Sequence, residues 1–382
     1  MPPPLIERMR ALCALPGPPG HEGAVREAIA GMLLRAAERL RQDAIGNLIA
    51  LQRSNAGAPH LLLQCHMDEV GLVVTGAEPG GAVRFEKVGL VADASFPGRE
   101  VDLLAEDGAL HRGVVNIRSG HLQALQGQEH PTAAQMWIDL GCRDGEAVRR
   151  LGIGPGTPGV FHSPFTRLGE GAWKSKAVDN RSGCALCVEA FLNARAFADR
   201  LRLSAAFCVQ EEVGARGASV LSVAHTMGGK PPDLAIVLDT VAAEGPEGTG
   251  DARGARLGGG PVLRRYDHQP ASLMGHIAPP LLAAWVKETA RAAEVPLQED
   301  AFLGTFTDAS AISRSRPGGL PTVNLNLPRR YSHSPAELFL ESDLEAASAL
   351  LGALLRRAAE GDFPKGGRDY KAGGRPAGDM MT

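Results

Sequence analysis

The sequence predicts an α/β fold with a mostly parallel central sheet flanked by helices. Short apolar runs at 61–65, 204–209 and 234–238 are bounded by polar residues. Helical apolar periodicity recurs near 22–41, 183–199, 280–294 and 343–358. Continuous apolar strands interleaved with helices mark a sheet covered on both faces. Each of the three runs also ends in residues that can hold a ligand: His66, Glu211-Glu212 and Asp239. In open α/β sheets, ligands gather at the carboxyl ends of the strands.

Residues 70–165 have a different character. The segments 72–75, 82–88 and 111–117 are short, β-type and punctuated by glycine, and no long helical pattern interrupts them before about 144. This predicts a small all-β insertion at 70–165 within a domain formed by 1–69 and 166–364. The Gly-rich tail, 365–382, is expected to be disordered.

Composition narrows the function. A chain of 382 residues, 44% hydrophobic, can bury a large core. Lys plus Arg is 40 and Asp plus Glu is 43. That near-balance implies no basic face and excludes nucleic acid as an expected partner. No apolar run reaches the roughly 18 residues a membrane span needs. The first residues, Met-Pro-Pro-Pro-Leu-Ile-Glu-Arg, lack a charged-then-apolar leader pattern. The expectation is a cytoplasmic protein. The cysteines at 13, 65, 142, 184, 187 and 208 are scattered. Cys184 and Cys187 form a C-x-x-C inside a small-residue helical pattern, and buried free thiols are expected there rather than a redox or zinc pair.

Five clusters carry candidate chemistry. In His66-Met-Asp68, residues i and i+2 of an extended segment share a face. Asp68 is therefore placed to orient the His66 ring, as outer carboxylates do for metal-bound histidines. Asp179 precedes a helix, where capping is the plain alternative. Adjacent Glu211 and Glu212 cannot point the same way, so one can bind metal while the other faces a water. Asp239 follows an apolar strand, and His333 sits in a loop before a helix-start signal. Each has an inert reading alone. Together, His66, Asp179, Glu212, Asp239 and His333 suit two metal ions if one carboxylate bridges, leaving each ion an open position. Mixed His and carboxylate ligands favour zinc, cobalt or manganese over calcium. The remaining Glu211 is the candidate general base. His121, His268 and His276 fit no metal spacing and are read as structural or surface residues.

This ordered set resembles the M42 family of metallo-aminopeptidases, the glutamyl and tetrahedral aminopeptidase group. The resemblance runs through Leu-Pro-Gly-Pro-Pro-Gly-His-Glu at 15–22, Asp-Ala-Ile-Gly-Asn-Leu at 43–48 and His-Met-Asp-Glu-Val-Gly at 66–71. It continues through Asp-Asn-Arg at 179–181, Gln-Glu-Glu-Val-Gly at 210–214, Gly-Gly-Gly-Pro at 258–261, Thr-Asp-Ala at 307–309 and Tyr-Ser-His-Ser-Pro at 331–335. It implies a zinc-peptidase-like fold with a PDZ-like insertion that mediates dimer contacts. It also implies peptide substrates, and homo-oligomers that are dimers or a tetrahedral dodecamer. His66 and Asp239 would hold one ion, Glu212 and His333 the other, and Asp179 would bridge. A cis peptide after Asp179 is implied as well. The competing expectations are a deacylase or amidohydrolase using the same centre, a metal-free two-carboxylate glycosidase, and a non-catalytic peptide-binding scaffold.

Overall fold

The computed structural model describes residues 3–55, 57–117, 131–221, 231–243, 245 and 254–364. The tail expected to be disordered, 365–382, and His121 lie outside these residues. Strands β1 (Arg39–Gln42), β2 (Leu48–Leu51) and β3 (His60–His66) come first. A closed barrel follows, built from β4 (Gly71–Ala77), β5 (Val83–Val88), β6 (Glu100–Leu104), β7 (Leu110–Val115), β8 (Ile138–Asp139) and β9 (Pro158–Phe161). The remaining strands are β10 (Thr166–Leu168), β11 (Ala172–Ser175), β12 (Arg202–Cys208), β13 (Leu234–Ala242), β14 (Val262–Gln269), β15 (Met274–Ile277), β16 (Gln298–Leu303), β17 (Thr322–Arg329) and β18 (Glu337–Leu340).

The main sheet runs β1-β2-β12-β3-β13-β17-β14-β15, with β16 beside β14. Its centre is parallel: β3 pairs in parallel with β12 and β13, and β13 with β17. Antiparallel pairs flank that centre, β2 on β12 and β14 on β17. One face of the sheet, including Leu61, Leu63, Cys65, Ile236 and Leu325, joins a large core with the helices Val178–Asn193, Pro280–Ala292 and Glu341–Ala359. The other face is apolar towards the amino ends of the parallel strands, where Leu62, Ala235 and Val237 meet the short helix Ala309–Ile312. It turns polar towards their carboxyl ends, because alternation along each strand puts Gln64 with His66, and Val237 with Asp239, on this side. No helix among the described residues is long and apolar enough to cross a membrane.

Three of the four predicted helices match closely, but the fourth does not run through 22–41. It stops at Leu33, and Arg39–Gln42 forms β1 against β2. The connecting turn explains the change. The Asp43 Oδ1 accepts hydrogen bonds from the backbone N–H groups of Ile45, Gly46 and Asn47 at 3.2, 3.0 and 2.9 Å. Gly46 supplies the positive φ, 114°, that this turn needs. Strand pairing thus overrides a helix-compatible composition. The cysteines are free, and all are buried except the half-buried Cys142.

The barrel lies within the predicted insertion. Its interior is filled by Phe85, Phe96 and Phe161, with Phe96 centred 5.3 Å from the first ring and 4.9 Å from the second. A short α-helix, Gly145–Arg150, accompanies the strands where only β structure was expected. Asp144 caps it by accepting the Ala147 N–H at 2.7 Å. Gly71 starts β4 shortly after His66, and a Cβ there would collide with the carbonyl oxygen of Gly159 on β9. The glycine is therefore required where β4 and β9 close the barrel. Gly71→Ala is expected to lower stability by about 1–3 kcal/mol, the usual cost of overpacking. A urea midpoint equal to the parent's would show that the closure is not this tight.

Candidate metal centre

The sequence-predicted residues converge. His66 ends β3, Asp239 lies within β13, Glu211 and Glu212 follow β12, and His333 follows β17. Asp179 sits at the entrance to the helix Val178–Asn193, before its regular turns begin, and the Asp179–Asn180 peptide is cis, as the resemblance implied. His66 Nε2 lies 3.2 Å from Asp179 Oδ1 and 3.8 Å from Asp239 Oδ1. His333 Nε2 lies 3.4 Å from Asp179 Oδ2 and 3.5 Å from Glu212 Oε2. Ligand atoms of His66, Asp179 and Asp239 lie within 4.8 Å of one another, and so do those of Asp179, Glu212 and His333. Asp179 belongs to both groups, one oxygen facing each imidazole.

Several backbone constraints hold this arrangement. Asp68 is fully buried and accepts the N–H of Glu211 at 2.9 Å on one oxygen and that of Glu212 at 3.0 Å on the other. Its expected contact with His66 Nδ1 is longer, 3.5 Å, so its hydrogen bonds go to the neighbouring loop as well as towards the ring. Glu337, at the start of β18, accepts the N–H of Asp179 at 3.0 Å and that of His333 at 2.9 Å. Arg329 donates to Asp179 Oδ2, contacts Glu337 Oε1 at 3.4 Å and donates to Thr240 Oγ1 at 2.9 Å. Gln210 and His333 adopt positive φ, 58° and 54°. Non-glycine residues hold that conformation only where surroundings impose it. Here Glu22 Oε1 accepts the Gln210 N–H at 3.1 Å, and Glu337 restrains His333.

Arg329, Glu337 and the buried Asp308 were missed by sequence reasoning. Asp308 accepts a hydrogen bond from Gln64 on β3. Its signal was present in Thr-Asp-Ala at 307–309, which carried resemblance but no assigned role. Arg329 and Glu337 flank the His333 motif within four residues on either side. The helix-start signal after His333 leads first into β18, and the helix predicted near 343–358 follows at Glu341–Ala359. Of the histidines read as structural or surface residues, His268 lies on β14 and His276 is buried on β15.

Electrostatics show what the cluster lacks. Burial pushes Glu212 up to about 8, with Asp179 adding to the rise. Burial also raises Asp239, and raises Glu211 well above the carboxylate range with Asp308, Asp239 and Glu212 reinforcing it. Asp308 is pushed up to about 7, again chiefly by burial. Asp179 moves the other way. Burial opposes ionisation, yet Arg329, His333 and His66 together hold it well below its ordinary value. Burial would lower both imidazoles, but Asp179, Asp239 and Asp68 keep His66 well above its ordinary value. Glu212 and Asp179 likewise raise His333 to about 9.

A metal ion fits these residues. Asp179 Oδ1 and Glu212 Oε1, both facing the cluster, are buried without hydrogen-bond partners among the described residues. Buried polar atoms of this kind are costly unless something satisfies them. A cation bound there would compete with protonation of the two imidazoles. A cavity of about 420 Å³ opens onto Asp179, Glu211, Glu212, Asp239 and His333.

Comparison with known proteins gives the family of the chain. The M42 glutamyl aminopeptidase family model matches residues 46–350. SgcX of Escherichia coli (strain K12) is 33% identical over 343 residues, 88% of this chain and 89% of that protein. The lysyl aminopeptidase of Pyrococcus furiosus is 29% identical, covering 94% of this chain and 98% of its own. The structure of the Pyrococcus horikoshii TET1 peptidase, which can assemble into a tetrahedron or a large octahedral shell, superposes with a TM-score of 0.79. It is 31% identical and covers 92% of this chain and 99% of its own. The chain belongs to the M42 aminopeptidase family, metal-dependent hydrolases that act on peptides.

Proposed function

We propose that this protein is a two-metal aminopeptidase that removes residues from the free amino end of peptides. His66 and Asp239 would hold one ion, Glu212 and His333 the other, and Asp179 would be shared. The observation that carries this reading is the Asp179 carboxylate, with its two oxygens 3.2 Å from one imidazole and 3.4 Å from the other. Zinc is the first choice of metal, with cobalt and manganese compatible with the same donors. When bound, the ions supply Lewis-acid charge that polarises a scissile carbonyl and makes water acidic near neutral pH.

The chain's own residues perform the proton work. Glu211 lines the cavity, and its carboxylate takes a proton from the attacking water and delivers it to the departing amine nitrogen. Burial raises its affinity for that proton, which suits a base that must also serve as an acid. Asp68 fixes the backbone on which Glu211 and Glu212 stand, so the two side chains keep separate tasks. Association through the barrel into dimers, and from dimers into a closed shell, belongs to the same reading. It is supported by the likeness to TET1.

Chelation is expected to abolish hydrolysis of aminoacyl-p-nitroanilides, and zinc, cobalt or manganese to restore it. Activity that survives complete metal removal would favour metal-free carboxylate chemistry instead. Glu211→Ala should retain its metal by elemental analysis and lose roughly 10²–10⁴-fold in kcat. Turnover at the parent rate would remove Glu211 from the mechanism. Asp68→Ala leaves two N–H groups without acceptors, at about 1–3 kcal/mol each. It should lower Tm and weaken metal affinity roughly 10–100-fold. Unchanged affinity in a metal titration would mean that Asp68 does not position the centre. N-acylated peptides cleaved as fast as free-amine peptides would point to a deacylase.

A further inference from the structure

The same cavity carries a polar feature that the metal cluster does not use. Arg264 on β14 and Asp300 on β16 both line it. They are register partners on adjacent parallel strands. Arg264 Nε donates to Asp300 Oδ1 at 3.1 Å and Nη2 to Oδ2 at 2.7 Å. Their side chains are 3% and 4% exposed. Such a bidentate pair in a desolvated setting is strong and directional. Asp300 has committed both oxygens to it. Phe302, two residues along β16 and on the same face, also lines the cavity, with Arg264 Cζ 5.8 Å from its ring centroid.

Arg264 lies two strands from Asp239, since β17 separates β13 from β14, and Asp300 lies one strand further, on β16. Two strand spacings are about 10 Å. A residue held at the metal centre could direct its side chain across that gap. Alone, Arg264 would attract a carboxylate and Asp300 a cation. Bound to each other, they cancel. Asp267, buried on the same strand, places further negative charge near Arg264. A carboxylate entering the cavity therefore meets an arginine already neutralised, and an ammonium meets an aspartate already occupied. Either would lose its hydration to meet a pair whose two charges are already matched. An uncharged side chain against Phe302 has no such cost.

We infer that the Arg264–Asp300 pair determines specificity: it restricts the enzyme to peptides whose first side chain is uncharged, and loss of either partner redirects it towards the opposite charge. This rests on the aminopeptidase reading. The glutamyl name of the family and the lysyl name of the Pyrococcus furiosus relative show that charge preference differs among such enzymes.

The test uses the metal-loaded full-length protein with leucyl, methionyl, glutamyl and lysyl p-nitroanilides. The parent should favour leucyl and methionyl over both charged substrates by about tenfold or more in kcat/KM, equivalent to about 1.4 kcal/mol. Asp300→Asn should raise the glutamyl-to-leucyl ratio by about tenfold, and Arg264→Met the lysyl-to-leucyl ratio by a similar factor. The double variant Arg264→Met/Asp300→Leu replaces both charges with apolar groups and should keep the parent's rejection of both. These ratios do not depend on the fraction of folded enzyme. A parent that cleaves charged and uncharged substrates alike overturns the inference and leaves the aminopeptidase reading intact. So do single variants with unchanged ratios, or a double variant that accepts charged substrates. A metal-loaded parent that hydrolyses none of the four overturns both.

Discussion

The carboxylate of Asp179 is the constraint on which the site depends. One oxygen faces His66 and the other faces His333. These histidines are 267 positions apart in sequence and follow different strands. A shared carboxylate works only if its orientation is fixed. Here Glu337 accepts the backbone N–H of Asp179, and Arg329 donates to one of its oxygens. Arg329 is itself held by Thr240 on β13 and by Glu337. The orientation of one side chain is thus set by β13, β17 and β18 together. Fixed donors of this kind place charge before a substrate arrives, which is the basis of electrostatic preorganisation.

The charges around Asp179 divide into two classes. Asp179 stays ionised because Arg329 and both imidazoles face it. Glu211, Glu212, Asp239 and Asp308 are buried with too few cations, and all four are pushed towards the neutral form. Packing alone would not favour so many carboxyl groups in one apolar surrounding. Their arrangement makes sense as a site completed by added positive charge. The burial that destabilises the carboxylates also strengthens their attraction to a cation, because both effects grow as the local dielectric falls.

Much of this was legible in the sequence because strand periodicity converts directly into position. The apolar run of β3 ends at His66, and that of β13 includes Asp239, so both side chains emerge on one face of a parallel sheet. What was hidden depends on tertiary pairing. Arg39–Gln42 has no strong strand pattern and becomes β1 only because the Asp43 turn folds it onto β2. Arg264 and Asp300 are 36 positions apart, and nothing in their local sequence marks them as partners. Their contact follows from the parallel register of β14 and β16. Glu337 was obscured for a different reason: its part lies in the backbone amides it accepts, and amides carry no sequence signal.

The N-terminal motifs gain a physical meaning from the same logic. Glu69 accepts hydrogen bonds from Lys176 at 2.7 Å, from Arg181 at 3.0 Å and from the Gly17 N–H at 3.1 Å, all in buried surroundings. Arg181 also donates to the carbonyls of Leu12, Leu15 and Met67, at 2.6, 3.0 and 2.9 Å. Asn47 accepts the Val209 N–H at 3.0 Å and donates to the Gly217 carbonyl at 2.9 Å, bracketing the loop that carries Glu211 and Glu212. These contacts tie segments before β3 to the loops after β3 and β12. Buried charges of this sort contribute little net stability compared with apolar packing of the same volume. They do discriminate between loop conformations, because any alternative leaves a desolvated charge without its partner. An apolar contact at these positions would tolerate small displacements. A site assembled from residues on several separate elements does not, and polar anchoring is the interaction that enforces the difference.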